Sequence, residues 1–140
     1  MENNFFTEVP SAPFSHISHL SALHLQGNDI KSIPGSPFQN LKKLESLNLN
    51  DNDLTSFNAH SVDGLDSLRH LDLGLNKISR FPTDAFRQLN HLEVLELGYN
   101  TFTQLDIEGK IFEIFTLSKT QCAKRQKVPE KSAVENGQQI

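Results

Sequence analysis

The sequence has little of what would cross-link a chain or anchor it in a membrane. Its single cysteine, Cys122, excludes an internal disulfide bond. No apolar run approaches the ~18 residues that a membrane-spanning helix requires. The opening residues, MENNFFTEVP, lack the basic and apolar stretches of a secretory signal. We therefore predict no membrane span in this chain.

Basic residues are also too few for a nucleic-acid partner. The chain has 13 Lys and Arg against 17 Asp and Glu, a net charge of −4. Residues 117–140 hold five Lys and Arg and two Glu, so they carry +3 and the rest of the chain carries −7. Phosphate binding needs a basic surface. The negative charge of residues 1–116 therefore predicts that the partner is not a nucleic acid.

What the chain does contain is an internal repeat. Its unit reads L-x-x-L-x-L-x-x-N-x-h-x-x-h, where h is apolar, and three units continue to a late apolar pair such as Phe38 and Leu41. The units start at evenly spaced leucines, Leu20, Leu44, Leu68 and Leu92. Four copies in one register are a strong signal of a stacked repeat architecture.

The spacing within the unit predicts a strand and a core. The alternation of Leu23 and Leu25 places both leucines on one face of a short strand. Coils that return to the same position in every unit can stack only with parallel strands. The apolar columns then fill the interior, and a phenylalanine-rich column adds an aromatic spine there. That column is Phe14, Phe38, Val62 and Phe86.

An asparagine recurs at one position of every unit. A polar side chain among leucines costs about 1–3 kcal/mol unless it is hydrogen-bonded. We predict that these asparagines form a structural ladder that bonds the backbone where each strand ends. The ladder consists of Asn28, Asn52, Asn76 and Asn100.

This pattern resembles the leucine-rich repeat family, in the typical 24-residue class that builds Toll-, Slit- and chaoptin-like extracellular proteins of animals. The likeness covers roughly residues 3–107. It implies an α/β-type repeat solenoid with a parallel β-sheet on its concave face and irregular convex segments.

The ends of the chain depart from the repeat. Residues 1–19 read as a partial repeat, the convex half only, with Asn4 in the asparagine column. Four repeats occupy 20–107, a degenerate end 108–117, and a polar tail 118–140 that we expect to be disordered. We expect a fragment of a longer protein. The alternative is a short isoform that truly starts at Met1. An uncapped first strand also predicts self-association through the N-terminal end.

Candidate chemistry is sparse. His24 and His70 fall on the same face of the predicted sheet, but two coils apart, or about 9–10 Å, too far to share a zinc ion. Asp72 and Glu96 lie on adjacent strands of an open sheet, where a solvated acidic patch is expected. No Walker loop, nucleophile elbow or HExxH motif occurs. We predict no catalytic residues, no cofactor, no metal site, and no enzyme activity.

The concave face is the predicted partner-binding surface, because its positions vary while the core columns do not. Its central column becomes acidic toward the C-terminal end, in the order His24, Asn48, Asp72 and Glu96. Leu75 and Tyr99 follow the last two of these residues on the same face. Such a mixture suits a protein partner with a basic patch. The candidate residues are His24, Gln26, Asn48, Asn50, His70, Asp72, Glu96 and Tyr99.

The resemblance implies a non-catalytic protein–protein interaction module in a receptor, adhesion or matrix protein, located outside the cell or at its surface. Two alternatives remain open. One is a cytoplasmic scaffold or regulatory subunit, favoured by the single cysteine. The other is a non-catalytic subunit of a secreted enzyme complex.

Overall fold

Within the residues that the structure describes, four short strands form a parallel sheet, as the spacing of the repeat predicts. The computed structural model describes residues 1–80 and 83–102. Its strands are Ala22–His24 (β1), Ser46–Asn48 (β2), His70–Asp72 (β3) and Val94–Glu96 (β4). They lie side by side in chain order, and each residue pairs with the equivalent residue of the next unit. The predicted open solenoid with a parallel sheet is therefore confirmed.

The leucines of the repeat fill the interior behind this sheet. In the second coil, Leu44, Leu47, Leu49 and Leu54 are at most 1% exposed. A fully buried leucine contributes about 1.5–3 kcal/mol relative to an exposed one, so these columns supply much of the stability. Leu20 is only partly buried, unlike the equivalent leucines Leu44, Leu68 and Leu92 of the other coils. It belongs to the first coil, whose strand forms an edge of the sheet.

Each asparagine of the recurring column joins its own coil to the preceding one. The side-chain amide of Asn76 donates to the carbonyl oxygens of Leu49, in the preceding coil, and Leu73, in its own, at 2.9 and 3.1 Å. Its Oδ1 accepts the backbone N–H of Leu54 at 3.0 Å. The same arrangement recurs at Asn28, Asn52 and Asn100.

Short helices occupy parts of the convex segments. In the described part of the chain, two are 3-10 helices, Ala12–His16 and Ala59–Val62, and one is an α-helix, Thr83–Gln88 (α1). Asn58 caps the second: its Oδ1 accepts the N–H groups of His60 and Ser61. The resemblance to the family implied irregular convex segments, and these short helices are the regular structure within them.

Aromatic packing follows the predicted spine only in part. The ring centroids of Phe14 and Phe38, which are neighbours in that column, lie 6.2 Å apart. Val62 interrupts the column, and Phe86 instead stacks on Phe57, from another column, also at 6.2 Å. The ring of Phe86 therefore packs on a phenylalanine of another column, because its own column has valine at position 62.

The first nine residues run beside the first full coil. The backbone N–H of Asn3 donates to the carbonyl of Gln26 at 2.9 Å, and the carbonyl of Phe6 accepts from Asp29 at 3.0 Å. Asn4 counts into the asparagine column, yet it is exposed, and its side chain bonds only locally, to the carbonyl of Glu2 at 2.9 Å.

Some sequence predictions concern residues outside the described part of the chain. They are the core positions 81 and 105, the degenerate end 108–117 and the tail 118–140 with Cys122. Among the residues that are described, no helix is long and apolar enough to cross a membrane.

Candidate functional site

The concave surface consists of the side chains that alternate with the buried leucines. Neighbouring strands lie about 4.7–4.9 Å apart, so residues of one column form a row across the sheet. In the central column, His24 and Glu96 at the two ends are exposed, whereas Asn48 and Asp72 between them are half-buried. Tyr99, beyond the end of β4, is 69% exposed.

Three of the predicted site residues form one hydrogen-bonded group. Oδ1 of Asn48 accepts the backbone N–H of Asn50, and Oδ1 of Asp72 accepts that of Gly74, both at 2.9 Å. The Asn50 side chain then donates to Oδ1 of Asp72 at 3.3 Å. These bonds orient Asn48, Asn50 and Asp72. An added Cβ at Gly74 would lie 2.7 Å from Nδ2 of Asn50, so a side chain there would displace the Asn50 amide from this position.

Gln26 is engaged by the first segment of the chain. Its Nε2 donates to a carboxylate oxygen of Glu2 at 2.5 Å. Its Oε1 is buried and accepts no hydrogen bond from any described residue. The N-terminal part of the concave face is therefore partly covered by the chain itself.

The histidines do not assemble into a reactive site. His24 and His70 are both exposed, on β1 and β3, with β2 between them. Within residues 1–80 and 83–102, no group of three His, Cys, Asp or Glu side chains could hold a metal ion. Asp72 and Glu96 pair in the register of β3 and β4 on an open sheet.

Ion pairs link successive coils outside the concave columns. Lys42 contacts Asp66 at 2.9 Å and Lys77 contacts Asp53 at 2.6 Å, and each pair joins equivalent positions of two successive coils. The hydrogen bond from Lys77 lowers the pKa of Asp53 below its usual value. Arg69 and Glu93 form a third such pair. Exposed pairs of this kind add little stability.

One backbone feature of the face was not predicted from the sequence. The residue three positions after each strand has a left-handed conformation, with φ of 66° at Gly27, 54° at Asp51, 51° at Leu75 and 58° at Tyr99. Asn3, at the equivalent position one unit before Gly27, has φ of 52°. The sequence did carry a partial signal of it. Asn3, Gly27 and Asp51, at three of these five positions, are residue types that tolerate positive φ.

A cavity of about 420 Å³ lies on the convex side, between the 3-10 helix Ala59–Val62 and α1. His60 and Asp84 contribute its ionisable groups. It is built from convex elements and shares no lining residue with the predicted concave site.

Comparison with known proteins agrees with this geometry. A sequence profile described as leucine rich repeat matches residues 1–52 and 18–78, more than half of the chain. The chain belongs to the leucine-rich repeat family. A search of curated protein sequences finds no match to it.

Two solved structures are similar to this leucine-rich repeat domain. One is a chain of the Toll–Spatzle complex of Drosophila, with 26% identity and a TM-score of 0.67 over 84% of the present chain. The other is a leucine-rich repeat protein of Leptospira interrogans, with 31% identity and a TM-score of 0.63 over 86%. The present chain spans 15% and 29% of those chains. Domains of this family are typically non-catalytic protein-interaction modules.

Proposed function

We propose that this leucine-rich repeat domain binds a protein partner through the part of its concave face that the second, third and fourth coils form. The charge distribution carries the proposal. The concave positions are 22, 24, 26 and 27 of the first coil and the equivalent positions of the three coils that follow. They include three carboxylates, Asp51, Asp72 and Glu96, and no Lys or Arg. The Lys and Arg residues of the coils all lie elsewhere, and His24 and His70 are the histidines on these positions.

Such a surface favours a partner with a basic patch. Complementary charges speed the encounter and exclude like-charged competitors. The bonds that orient Asn48, Asn50 and Asp72 also preorganise this part of the face, which lowers the entropic cost of binding. Gln26 is held by Glu2, so the first coil offers less free polar surface.

We propose further that the domain belongs to an extracellular or cell-surface receptor, adhesion or matrix protein. The likeness to a chain of the Toll–Spatzle complex, which is itself a protein–protein assembly, supports this placement. The rival placements are the cytoplasmic scaffold and the subunit of a secreted enzyme complex. A cytosolic partner would indicate the first, and co-purification with a catalytic chain would indicate the second.

A matched pair of charge reversals tests the proposed face. Glu96→Lys changes an exposed concave residue, and Asp29→Lys changes an exposed residue outside the concave columns. The partner is captured from the source tissue with the full chain, identified and purified. We expect Glu96→Lys to weaken binding about tenfold, mainly through slower association at low salt, and Asp29→Lys to bind as wild type. Equal affinity of all three proteins would refute the proposed face, and a cytosolic partner would refute the proposed compartment.

We also propose that the N-terminal end mediates self-association. β1 forms an edge of the sheet, and Phe5 nearby in the first segment is 90% exposed. Met1 and Ile17, at 48% and 42%, add apolar surface to the same segment. An apolar surface beside a strand edge favours contact with a second copy.

A further inference from the structure

We call Asn3, Gly27, Asp51, Leu75 and Tyr99, which all have positive φ, the left-handed column. Two of these residues are of types that positive φ disfavours. Glycine has no Cβ to clash at positive φ, and asparagine and aspartate tolerate it, but bulky side chains rarely adopt it. Asn3, Gly27 and Asp51 fit this rule, whereas Leu75 and Tyr99 do not. The turn of each coil imposes this conformation, so at positions 75 and 99 the fold retains a side chain that costs it stability.

Burial within the domain does not explain these two residues. Leu75 is 46% exposed and Tyr99 is 69% exposed. Each therefore combines a strained backbone with an apolar or aromatic surface that the chain leaves in contact with solvent. The other large apolar residues that are exposed in the described part of the chain are Met1, Phe5 and Ile17, all in the N-terminal segment.

Leu75 and Tyr99 are also neighbours. The backbone N–H of Leu75 donates to the carbonyl of Gly98 at 2.8 Å, so the coils remain paired up to the left-handed positions. Glycines precede both residues, at 74 and 98, and leave no side chain there. Three residues before Leu75 and Tyr99, respectively, Asp72 and Glu96 pair in adjacent strands. Leu75 and Tyr99 therefore lie on the same two adjacent coils as these carboxylates, and on the same concave face.

From this juxtaposition we infer that Leu75 and Tyr99 are the anchor residues of the concave face. They bind a protein segment in which a Lys or Arg adjoins an apolar side chain. The apolar side chain packs on the Leu75–Tyr99 pair, and the basic side chain contacts Asp72 and Glu96. Aromatic residues at the centre of an interface commonly carry much of its binding energy. This inference rests on the proposed function, because it specifies the partner chemistry of the same face.

A displayed library of short random peptides, selected on the full chain, tests the partner chemistry. We expect the enriched sequences to contain Lys or Arg next to an aliphatic or aromatic residue. A resynthesised enriched peptide should bind Leu75→Asn and Tyr99→Asn about thirtyfold more weakly than wild type, the loss typical of a truncated anchor. Selection of acidic or uncharged peptides, or no enrichment, would overturn the inference.

Stability separates an anchor from a structural residue. Asparagine tolerates positive φ better than leucine or tyrosine, so Leu75→Asn and Tyr99→Asn should keep or raise the Tm while they lose binding. A Tm that falls in parallel with affinity would assign both residues a structural role instead. Lys43→Asn is the control, since it changes an exposed residue outside the column and should leave peptide binding unchanged.

The two proposals fail in distinguishable ways. If Glu96→Lys blocks the natural partner but Leu75→Asn and Tyr99→Asn bind it as wild type does, the concave face stands and the anchor assignment is wrong. If none of these variants affects the natural partner, the concave face itself is wrong.

Discussion

The side-chain amide of Asn52 donates to the backbone carbonyl of Leu25 in the preceding coil at 2.9 Å. The Oδ1 atom of Asn52 accepts the N–H of Ile30, also in that coil, at 3.1 Å. One buried side chain therefore satisfies the backbone on both sides of the preceding turn. Aspartate lacks the donor and leucine lacks both groups, which explains why an amide recurs there.

Loss of the amide should destabilise the domain. We expect Asn52→Ala and Asn76→Ala each to lower the free energy of unfolding by about 1–3 kcal/mol, because buried backbone groups lose their partners. Urea denaturation followed by circular dichroism measures the change. Asn40→Ala, at an exposed position in the same chain, is the control and should be neutral.

Asn52→Asp distinguishes the amide from the volume of the side chain. Aspartate has the shape of asparagine but, when ionised, cannot donate to the carbonyls of Leu25 and Leu49. We expect it to be at least as destabilising as alanine at neutral pH. A wild-type denaturation midpoint for this variant would contradict the role assigned to the donor.

The sheet, the core and the position of the asparagines could be predicted because each depends on a residue type, or on apolar character, that recurs at fixed positions. Leucine at the strand positions and asparagine at the turn leave little choice of register. The left-handed column could not be predicted in the same way. Its five positions carry five different residues, and the last two, Leu75 and Tyr99, are poor indicators of positive φ.

Contacts between columns were also beyond the repeat pattern. The stack of Phe57 on Phe86 depends on the interruption of the spine at Val62 and on the placement of α1. The concave residues were placed on their face by alternation alone, yet the bond between Asn50 and Asp72 depends on the absence of a side chain at Gly74. Such contacts require the packing of neighbouring coils to be known.

Gly64 should be more sensitive to substitution than Gly35. Both have positive φ, of 88° and 64°, so alanine strains either backbone. A Cβ at Gly64 would lie 2.4 Å from Cα of Gln39 in the preceding coil, whereas nothing lies within 4 Å of one at Gly35. We expect Gly64→Ala to cost about 1–3 kcal/mol more than Gly35→Ala, since the coils must separate. Equal losses in urea denaturation would show that the contact between coils is unimportant.

Asp63 links stability to pH. The Ser36 hydroxyl donates to its Oδ2 at 2.6 Å, and this bond, with a smaller effect of His60, lowers the pKa of Asp63. A lowered pKa in the folded state gives stability that is present above the unfolded-state pKa and lost as the pH falls through the folded-state value. We expect Ser36→Ala to raise the pKa of Asp63 and to destabilise the domain at neutral pH.

The same variant makes the pH dependence measurable. The difference in unfolding free energy between wild type and Ser36→Ala should shrink as the pH falls through the folded-state pKa, because protonated Asp63 gains less from the hydroxyl. NMR titration of the Asp63 carboxyl carbon gives the pKa directly. An unchanged titration in Ser36→Ala would show that the hydroxyl does not set it.

Phe5 should govern self-association of the chain. Its ring is 90% exposed in the segment beside the edge strand β1, so a second copy that covers it removes apolar surface from water. We expect sedimentation velocity over a concentration series to show wild-type dimers that Phe5→Ser shifts to monomer at the same concentrations. Tyr99→Ser is the matched control, because it removes an exposed aromatic from the opposite end of the sheet. A wild-type chain that stays monomeric throughout, or an equal effect of both variants, would exclude association through the N-terminal end.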